Sequence, residues 1–299
     1  MRLILLSILG ILLGIGYYLF VKPSDYVVVF TVRESAEVVS QHAYYWNNWN
    51  RKFIGNRISV IDAKKNDRFT MRIEIPDTTL RLFWRFSGIN DSLTRIMVGA
   101  ADPDRRLFNR LTAPFKATTF RNSIISNMLA FSESAHNLAA RHSYNFVGND
   151  SLQKIPVVYV PFRSTARRKS GEMIGNVIEL NQYVKENNLG LDGHPFIIAS
   201  YNGGFQDSID FEFCFPVARI DSLPEHPSIR FRFIEAASTL KADYYGNYAL
   251  SDMAWYRLIA TANERKIPHS GQIREIFFND PHSGGNDLEW KAEVHLILR

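Results

Sequence analysis

Cysteine is almost absent from this sequence, which has 299 residues and a single cysteine, Cys214. One cysteine cannot form a disulfide bond within the chain, so a disulfide-stabilised scaffold is excluded. Cys214 lies in the segment 211–217, in which aromatic and aliphatic residues predominate. Such surroundings favour a buried structural thiol over a reactive nucleophile.

Recognisable metal, cofactor and nucleophile motifs are also missing. The eight histidines are dispersed, and none belongs to a His-Glu-x-x-His, His-x-His or Cys/His cluster, so we predict no metal site. The sequence has no Gly-x-Ser-x-Gly element and no phosphate-binding loop, and its glycine pairs 203–204 and 284–285 are typical of turns. We therefore predict no cofactor and assign no catalytic residue.

Positive charge is unevenly distributed but is not clustered. The formal net charge is +5; residues 1–150 are basic, whereas residues 151–299 are slightly acidic. A basic surface can bind nucleic acid or anionic lipid. The basic residues are scattered among predicted strands, without a helix-turn-helix, zinc-finger or RNA-recognition motif. We expect no nucleic-acid partner, and weak attraction to anionic headgroups is the favoured use of the charge.

Uncharged apolar runs of membrane-spanning length are limited to one, Leu3–Val21. As a helix these residues would be about 28 Å long, close to the hydrocarbon thickness of a bilayer. Tyr17 and Tyr18 lie near one end, as aromatic anchors do, and the pair 22–23 (Lys-Pro) ends the run. A cleaved signal peptide is the alternative, but it would have a shorter apolar region and a small-x-small cleavage site. We predict an uncleaved, single-pass membrane anchor in residues 1–23, with the side of the soluble body left open.

Residues 24–142 predict a domain with both strands and helices. A strand over 26–33 precedes a helix that begins near Ser35, and further strands follow, separated by turn-forming residues. The pattern becomes helical from about Arg105 to Arg141. The polar residues that follow, up to Lys154, predict a linker.

Trp46 and Trp49 follow the first predicted helix of this domain, and a long helix ends it. With this order of elements, residues 25–140 resemble the helix-grip fold of the START/polyketide-cyclase-like (SRPBCC) superfamily. The resemblance implies that the long helix closes a curved sheet over an apolar cavity. Core packing without any ligand contact is the alternative interpretation of the two tryptophans, and the favoured one.

The second half of the sequence contains two stretches with the same predicted order of strand, helix, strand and strand. The first covers residues 155–217 and the second covers residues 229–298, and aligning them pairs Glu212 with Glu293. Two such units related by a pseudo-twofold axis can join their sheets, cover one face with both helices and leave a groove between them. The predicted fold class is therefore α+β: a membrane helix, a helix-grip-like domain and a duplicated domain.

Four segments of the second stretch carry a family resemblance. They are 242–248 (ADYYGNY), a helix that contains Trp255-Tyr256, 274–281 (REIFFNDP) and the closing strand 293–298. With these segments, residues 153–299 resemble the GyrI-like small-molecule-binding domain, which is also the effector-binding domain of AraC- and MerR-type regulators. The resemblance implies a buried acidic residue on the strand before the Asn-Asp-Pro turn, where it meets cationic or electrophilic ligands; by position this residue is Glu275.

Strand alternation supports a special role for Glu275, because it places the carboxylate on one face with Ile273 and Phe277. A carboxylate among apolar side chains is costly to bury unless it has a partner, and aromatic rings with a carboxylate suit a lipophilic cation. Glu275 could instead pair with an arginine or face water, and Glu212 could lie on a solvated face. The candidate ligand-binding residues, in order of preference, are Glu275, Tyr248, Trp255, Tyr201 and Glu212.

Three functions are compatible with these residues. The favoured one is a membrane-tethered binding or sensing module that captures an amphipathic or cationic small molecule. The second is a hydrolase of electrophilic small molecules, as some GyrI-like relatives are, with Glu275 as general base and Tyr248 assisting. The third is a lipid-handling protein that uses the apolar cavity implied for residues 25–140.

Overall fold

The computed structural model divides the chain into two compact units, Met1–Asn137 and Leu138–Arg299. Within the described residues the fold is α+β, with one apolar N-terminal helix and two antiparallel sheets, as the sequence predicts. The described residues are 2–46, 57–64, 67–75, 78–113, 115–201, 204–206, 208–218 and 225–299.

The described part of the first unit contains four α-helices and a five-stranded sheet. The sheet is antiparallel, and its strand order is 1-5-4-3-2. The elements in chain order are α1 (Arg2–Gly16), β1 (Tyr26–Val32), α2 (Ala36–Tyr44), β2 (Arg57–Lys64), β3 (Arg68–Ile75), β4 (Thr78–Asn90), β5 (Leu93–Ala101), α3 (Arg106–Thr112) and α4 (Thr119–Ala139).

The N-terminal apolar helix consists of α1 and a π-helical turn that continues it, Tyr17–Val21. The segment Ile4–Val21 is long and apolar enough to cross a membrane, and it is not buried inside the protein. A signal sequence near an N-terminus has the same properties. The length and exposure of the helix are thus compatible with both alternatives that the sequence raises.

Aromatic rings fill the space between α4 and the five-stranded sheet. Phe131 of α4 lies 5.1 Å from Trp84 and 5.3 Å from Trp46, measured between ring centroids, and both contacts are edge-to-face. Trp46 is buried, so its observed role is core packing. Trp49 lies outside the described residues, and membership of the SRPBCC superfamily stays a prediction.

The second unit has an eight-stranded antiparallel sheet and two α-helices in its described residues. The strand order is 10-7-9-8-12-13-11-6. The elements are β6 (His142–Leu152), β7 (Ile155–Ser164), α5 (Lys169–Glu186), β8 (Phe196–Ser200), β9 (Ile209–Pro216), β10 (Arg230–Ile234), β11 (Ala237–Gly246), α6 (Asp252–Glu264), β12 (His269–Phe277) and β13 (Lys291–Leu298).

The predicted linker before Lys154 is wrong, because β6 occupies most of it and pairs with β11 along its whole length. Half-buried side chains alternate with exposed ones along the strand, so only one face of it is apolar. Arg257 and Arg265 cover that face, stacking on the rings of Tyr144 and Phe146. An edge strand of this kind has the polar composition of a linker, and only its period-2 pattern distinguishes it.

The order strand, strand, helix, strand, strand occurs twice in the second unit. β6 pairs with β11 rather than with β7, and β10 pairs with β7 rather than with β11, so each series contributes its first strand to the other. β8 and β12 form the antiparallel junction at the centre of the sheet. α5 packs on β7 and β9, while α6 packs on β11, β12 and β13. This arrangement places the N-terminal turns of both helices near the middle strands.

Candidate functional site

Glu275 occupies the centre of the eight-stranded sheet. It lies on β12, between Ile197 of β8 and Val294 of β13, and its exposed fraction is 0%. Ile273 and Phe277 on the same face are also buried, as the alternation predicts. The side chain therefore points into the apolar layer beneath the helices rather than into water, so the alternative that Glu275 faces solvent is wrong.

One oxygen of Glu275 has a hydrogen-bond donor and the other has none among the described residues. The indole Nε1 of Trp255 donates to Oε2 at 2.9 Å, whereas Oε1 is buried without a partner. The nearby Ser251 hydroxyl donates to the carbonyl oxygen of Tyr248 at 2.8 Å. A buried carboxylate with an unused oxygen is uncommon, because an unmade hydrogen bond costs about 1–3 kcal/mol.

A buried lysine and a buried aspartate complete the charged cluster around Glu275. Lys169 is the first residue of α5 and Asp252 is the first residue of α6. Both are buried, and the Lys169 Nζ lies 3.5 Å from Oδ1 of Asp252 and 5.1 Å from the centroid of the Trp255 ring. Tyr256 donates to Oδ2 of Asp252 at 2.7 Å. Two carboxyl groups thus face one ammonium group in a nearly dry environment.

Burial raises the pKa of Glu275 from 4.5 to about 7, and Asp252 contributes in the same direction. Lys169 opposes the shift through its charge and Trp255 through its hydrogen bond, because both stabilise the ionised form. Because the pKa lies near neutrality, Glu275 can gain or lose its proton under physiological conditions. The cluster can therefore balance its second carboxyl group either with a proton or with an additional positive charge.

Aromatic side chains enclose the cluster. The ring of Tyr201 lies 6.5 Å from Trp255 and 5.5 Å from Tyr256, and the ring of Phe211 lies 6.1 Å from Trp255. Tyr201, Phe211 and Trp255 are all buried. The structure thus brings together three of the predicted residues, Glu275, Trp255 and Tyr201, in a site that is closed to solvent.

Tyr248 lies nearby, but its hydroxyl group belongs to a turn. It donates to the carbonyl oxygen of Lys291 at 2.8 Å and accepts from the amide of Asn279 at 3.0 Å. Burial raises the pKa of Tyr248 to about 12, and the charge of Glu275 adds to the shift. Tyr248 is consequently a poor proton donor and a structural link between the Gly-Asn-Tyr and Asn-Asp-Pro segments.

The backbone at position 246, the first residue of the Gly-Asn-Tyr segment, requires a glycine. Its φ is +147°, and an added Cβ would lie 2.7 Å from the hydroxyl oxygen of Tyr244 and 2.9 Å from the carbonyl oxygen of Arg141. Asn247 then closes the turn by accepting from the amide of Ala249 at 3.0 Å. These contacts fix the backbone that leads from β11 into α6, and so the position of Trp255.

Glu212 lies apart from Glu275, on the other face of the sheet. It pairs with Ile198, whereas Ile197 is opposite Glu275, so the pleat directs the two carboxyl groups to opposite sides. Glu212 forms an ion pair with Arg232 and borders an open pocket of about 380 Å³. The sequence alternative that places Glu212 on a more solvated face agrees with this position.

Three members of the cluster, Lys169, Asp252 and Tyr256, are missing from the residues selected in the sequence. Lys169 follows Arg167 and Arg168, and such a basic run is typical of a solvated helix end. Asp252 begins a helix, a position at which an acidic residue favours the helix dipole without implying any other role. Lys169 and Asp252 occupy equivalent positions, each at the start of the helix in its repeat. This equivalence is the only sequence signal that could have suggested their contact.

No protein-family model matches the sequence, and none of the curated proteins matches it significantly. Similar solved structures cover about half of the chain. The C-terminal domain of EcmrR has 16% identity and a TM-score of 0.45, and the match covers 53% of this chain and 98% of that domain. SAV2435 bound to tetraphenylphosphonium has 6% identity and a TM-score of 0.36 over 52% and 94% of the two chains. A hydrolase from Listeria innocua has 10% identity and a TM-score of 0.32 over 53% and 92%.

Proposed function

We propose that this protein is a membrane-anchored small-molecule-binding protein of the GyrI-like type, whose ligand is an amphipathic cation held beside Glu275. The observation that carries the proposal is the unbalanced charge of the buried cluster. Glu275 and Asp252 share the single ammonium group of Lys169, and one oxygen of Glu275 has no donor among the described residues. A bound cation would supply the missing positive charge, and the surrounding rings would contact its apolar groups.

A ligand can reach Glu275 only if side chains that cover the carboxylate move. The indole of Trp255 occupies one oxygen of Glu275, and Lys169 lies over the same indole ring. A ligand that reaches the carboxylate must therefore displace Trp255, together with the ring of Tyr201 that packs against it. Binding is therefore coupled to a movement of α6 or of the Trp255 side chain.

The membrane anchor in the proposal is supported by the contacts of Arg110. This buried side chain donates to the carbonyl oxygens of Tyr18 and Leu19, each at 2.9 Å, and to the carbonyl oxygen of Lys22. The last carbonyl groups of a helix have no partner within the helix, so Arg110 stabilises the end of the apolar segment. Removal of this segment as a signal peptide would take away partners that the folded unit uses.

Proton release on binding is the test of the cation site. The probe is tetraphenylphosphonium, a lipophilic cation, and triphenylphosphine oxide is the uncharged control. Because burial raises the pKa of Glu275 to about 7, part of the Glu275 population carries a proton at pH 7, and the cation should displace these protons. Calorimetry in buffers of different ionisation enthalpy measures the protons released, and the uncharged compound should release none.

Two matched variants locate the effect. Glu275→Gln should weaken the binding of tetraphenylphosphonium at least about tenfold, the loss expected when a buried charge–charge interaction of more than about 1.4 kcal/mol is removed. Glu212→Gln, on the opposite face of the same sheet, should leave it unchanged. Unchanged affinity in Glu275→Gln, or an equal loss in both variants, would contradict the proposal.

A second candidate function is hydrolysis of electrophilic small molecules, which the pKa of Glu275 favours. A general base is most effective when its pKa lies near the working pH, and the pKa of Glu275 is about 7. Tyr248 is not suited to assist, because its hydroxyl already bridges Lys291 and Asn279. Turnover of reactive electrophiles should be lost in Glu275→Gln and kept in Tyr248→Phe; no turnover by the wild type would reject this candidate.

A further inference from the structure

The short helix α3 presents an apolar surface to the outside of the first unit. Leu107, Phe108 and Leu111 have exposed fractions of 47%, 60% and 57%, and Phe115, three residues beyond the end of α3, has 89%. Within α3, Leu111 is four residues after Leu107 and three after Phe108, so it is a neighbour of both on the helix surface. Isolated exposed apolar residues are common, but four large ones on one short segment form a patch that indicates a partner.

The opposite side of α3 is attached to the end of the N-terminal helix. Asn109 and Arg110 are buried, and Arg110 holds the carbonyl oxygens of Tyr18 and Leu19. The hydroxyl of Tyr18 donates in return to the carbonyl oxygen of Arg110 at 3.2 Å. α3 is therefore fixed beside the last turn of the apolar helix, at the level where that helix would leave the bilayer.

Basic side chains outnumber acidic ones around the patch, where Asp104 is also exposed, and this excess suits a layer of anionic lipid headgroups. Arg105 and Lys116 are exposed on either side of it, and Arg106 lies partly exposed at the start of α3. Lys22 follows the apolar helix, and its ammonium group lies over the ring of Tyr18. Aromatic and basic side chains at one level beside an apolar face are typical of segments that lie in a membrane interface.

We infer that α3 is an interfacial helix, whose residues Leu107, Phe108 and Leu111, together with Phe115 beyond its end, insert among the lipid acyl chains. This inference rests on the proposed anchor, because the anchor places α3 at the membrane surface. With two elements in the bilayer and Arg110 joining them, the first unit has a fixed orientation on the membrane. The lipid bilayer, rather than a protein, is the partner of the patch because the same short region also contains the end of the apolar helix.

Spin-label depth measurements on the full-length protein in liposomes test the inference. Each of Leu12→Cys, Phe108→Cys, Leu111→Cys and Asp91→Cys introduces one exposed labelling site. The native Cys214 is buried and should not react, and the unsubstituted protein checks this. Asp91 is the distal control, since the nine residues of β5 separate its turn from the end of the sheet near α3 by about 30 Å.

Accessibility to oxygen, which dissolves in the acyl chains, is compared with accessibility to a water-soluble nickel complex. Labels at 12, 108 and 111 should favour oxygen, and the label at 91 should favour nickel. If the label at 12 favours oxygen while those at 108 and 111 favour nickel, the anchor stands and the interfacial helix is rejected. If the label at 12 favours nickel, the anchor fails and the inference fails with it.

A second copy of the chain is the main competing partner for the patch. Contact between copies would bring two labels at position 108 together and broaden their spectra through spin–spin coupling. Broadening that disappears on dilution with unlabelled protein, without preferential exposure to oxygen, would overturn the lipid assignment. The lipid assignment expects sharp spectra that are independent of labelled fraction.

Discussion

The two units bury their charged groups in different ways. In the first unit, Arg110 and Asp25 pair at 2.8 Å, and both are fully buried. Asp25 also accepts from the amide of Asp102 at 2.9 Å, and both Nη atoms of Arg110 donate to backbone carbonyls. In the second unit, Lys169 and Asp252 are 3.5 Å apart, and Glu275 keeps one oxygen without a donor among the described residues.

The difference separates a structural ion pair from a cluster that can change its charge. A buried pair with every group satisfied contributes to one fixed geometry, and removing one member leaves an uncompensated charge. An incompletely satisfied cluster with a shifted pKa is more typical of a functional site. The comparison therefore predicts that substitution of Arg110 reduces stability, whereas substitution of Glu275 changes mainly pH dependence and binding.

Arg110→Met should have the largest effect. It leaves Asp25 as an unpaired buried charge and the end of the apolar helix without its donors, at a cost of about 3–5 kcal/mol in the stability of the first unit. Hydrogen exchange measured by mass spectrometry in detergent should show faster exchange in β1 and α3.

Arg106→Met is the matched control, because Arg106 lies on the same helix, is partly exposed, and donates at 3.4 Å to the carbonyl of Phe20 in an exposed hydrogen bond. Its cost should be below about 1 kcal/mol. Equal effects of the two substitutions would contradict the structural role assigned to the buried Arg110–Asp25 pair.

The pH dependence of the second unit should show the next largest effect. The pKa of Glu275 is raised in the folded state, so the folded protein binds more protons than the unfolded protein between pH 4.5 and about 7. The contribution of Glu275 to the free energy of unfolding therefore falls as pH rises through this window, by roughly 3 kcal/mol in total. Glu275→Gln should remove this decrease and be more stable than the wild type at pH 8.

His295 changes the free energy of unfolding with pH in the opposite direction to Glu275, so its contribution must be separated from that of Glu275. Burial lowers its pKa from 6.5 to about 4, so its contribution to stability is lost as pH falls through that window. The difference between the wild type and Glu275→Gln isolates Glu275, since His295 is present in both. A difference that does not change with pH would contradict the assigned pKa.

Cys214 reports the unfolding of the second unit. It is the only cysteine of the chain, it is buried, and burial raises the pKa of its thiol well above the usual value. Its rate of modification by a thiol reagent therefore follows the opening of this unit, without interference from the first.

Lys169→Met should have a smaller effect on stability than Arg110→Met. The ion pair is longer, and Asp252 keeps the hydrogen bond from Tyr256 at 2.7 Å and its favourable place at the start of α6. We expect a loss of about 1–3 kcal/mol. Because Lys169 lowers the pKa of Glu275, the pH dependence should also move to higher pH. An unchanged midpoint would show that the two groups are not coupled.

Several features of the fold could be predicted because they depend on local patterns. The charge-free run Leu3–Val21 predicted the apolar helix, and alternation predicted that Ile273, Glu275 and Phe277 share a buried face. The edge strand β6 was missed because its exposed face has the composition of a linker. The stretch 229–298 is predicted to have one strand before its helix, but two strands, β10 and β11, precede α6 and pair in different places.

The sequence by itself determined which segments become apolar helices and strands, since hydrophobic periodicity and turn residues act over a few neighbouring positions. Only the tertiary structure decided which charges meet. Lys169 and Asp252 are 83 residues apart, and Arg110 is 85 residues from Asp25. Such contacts depend on sheet order and on where helices begin in space, and these arise from the packing of the whole unit rather than from any local pattern.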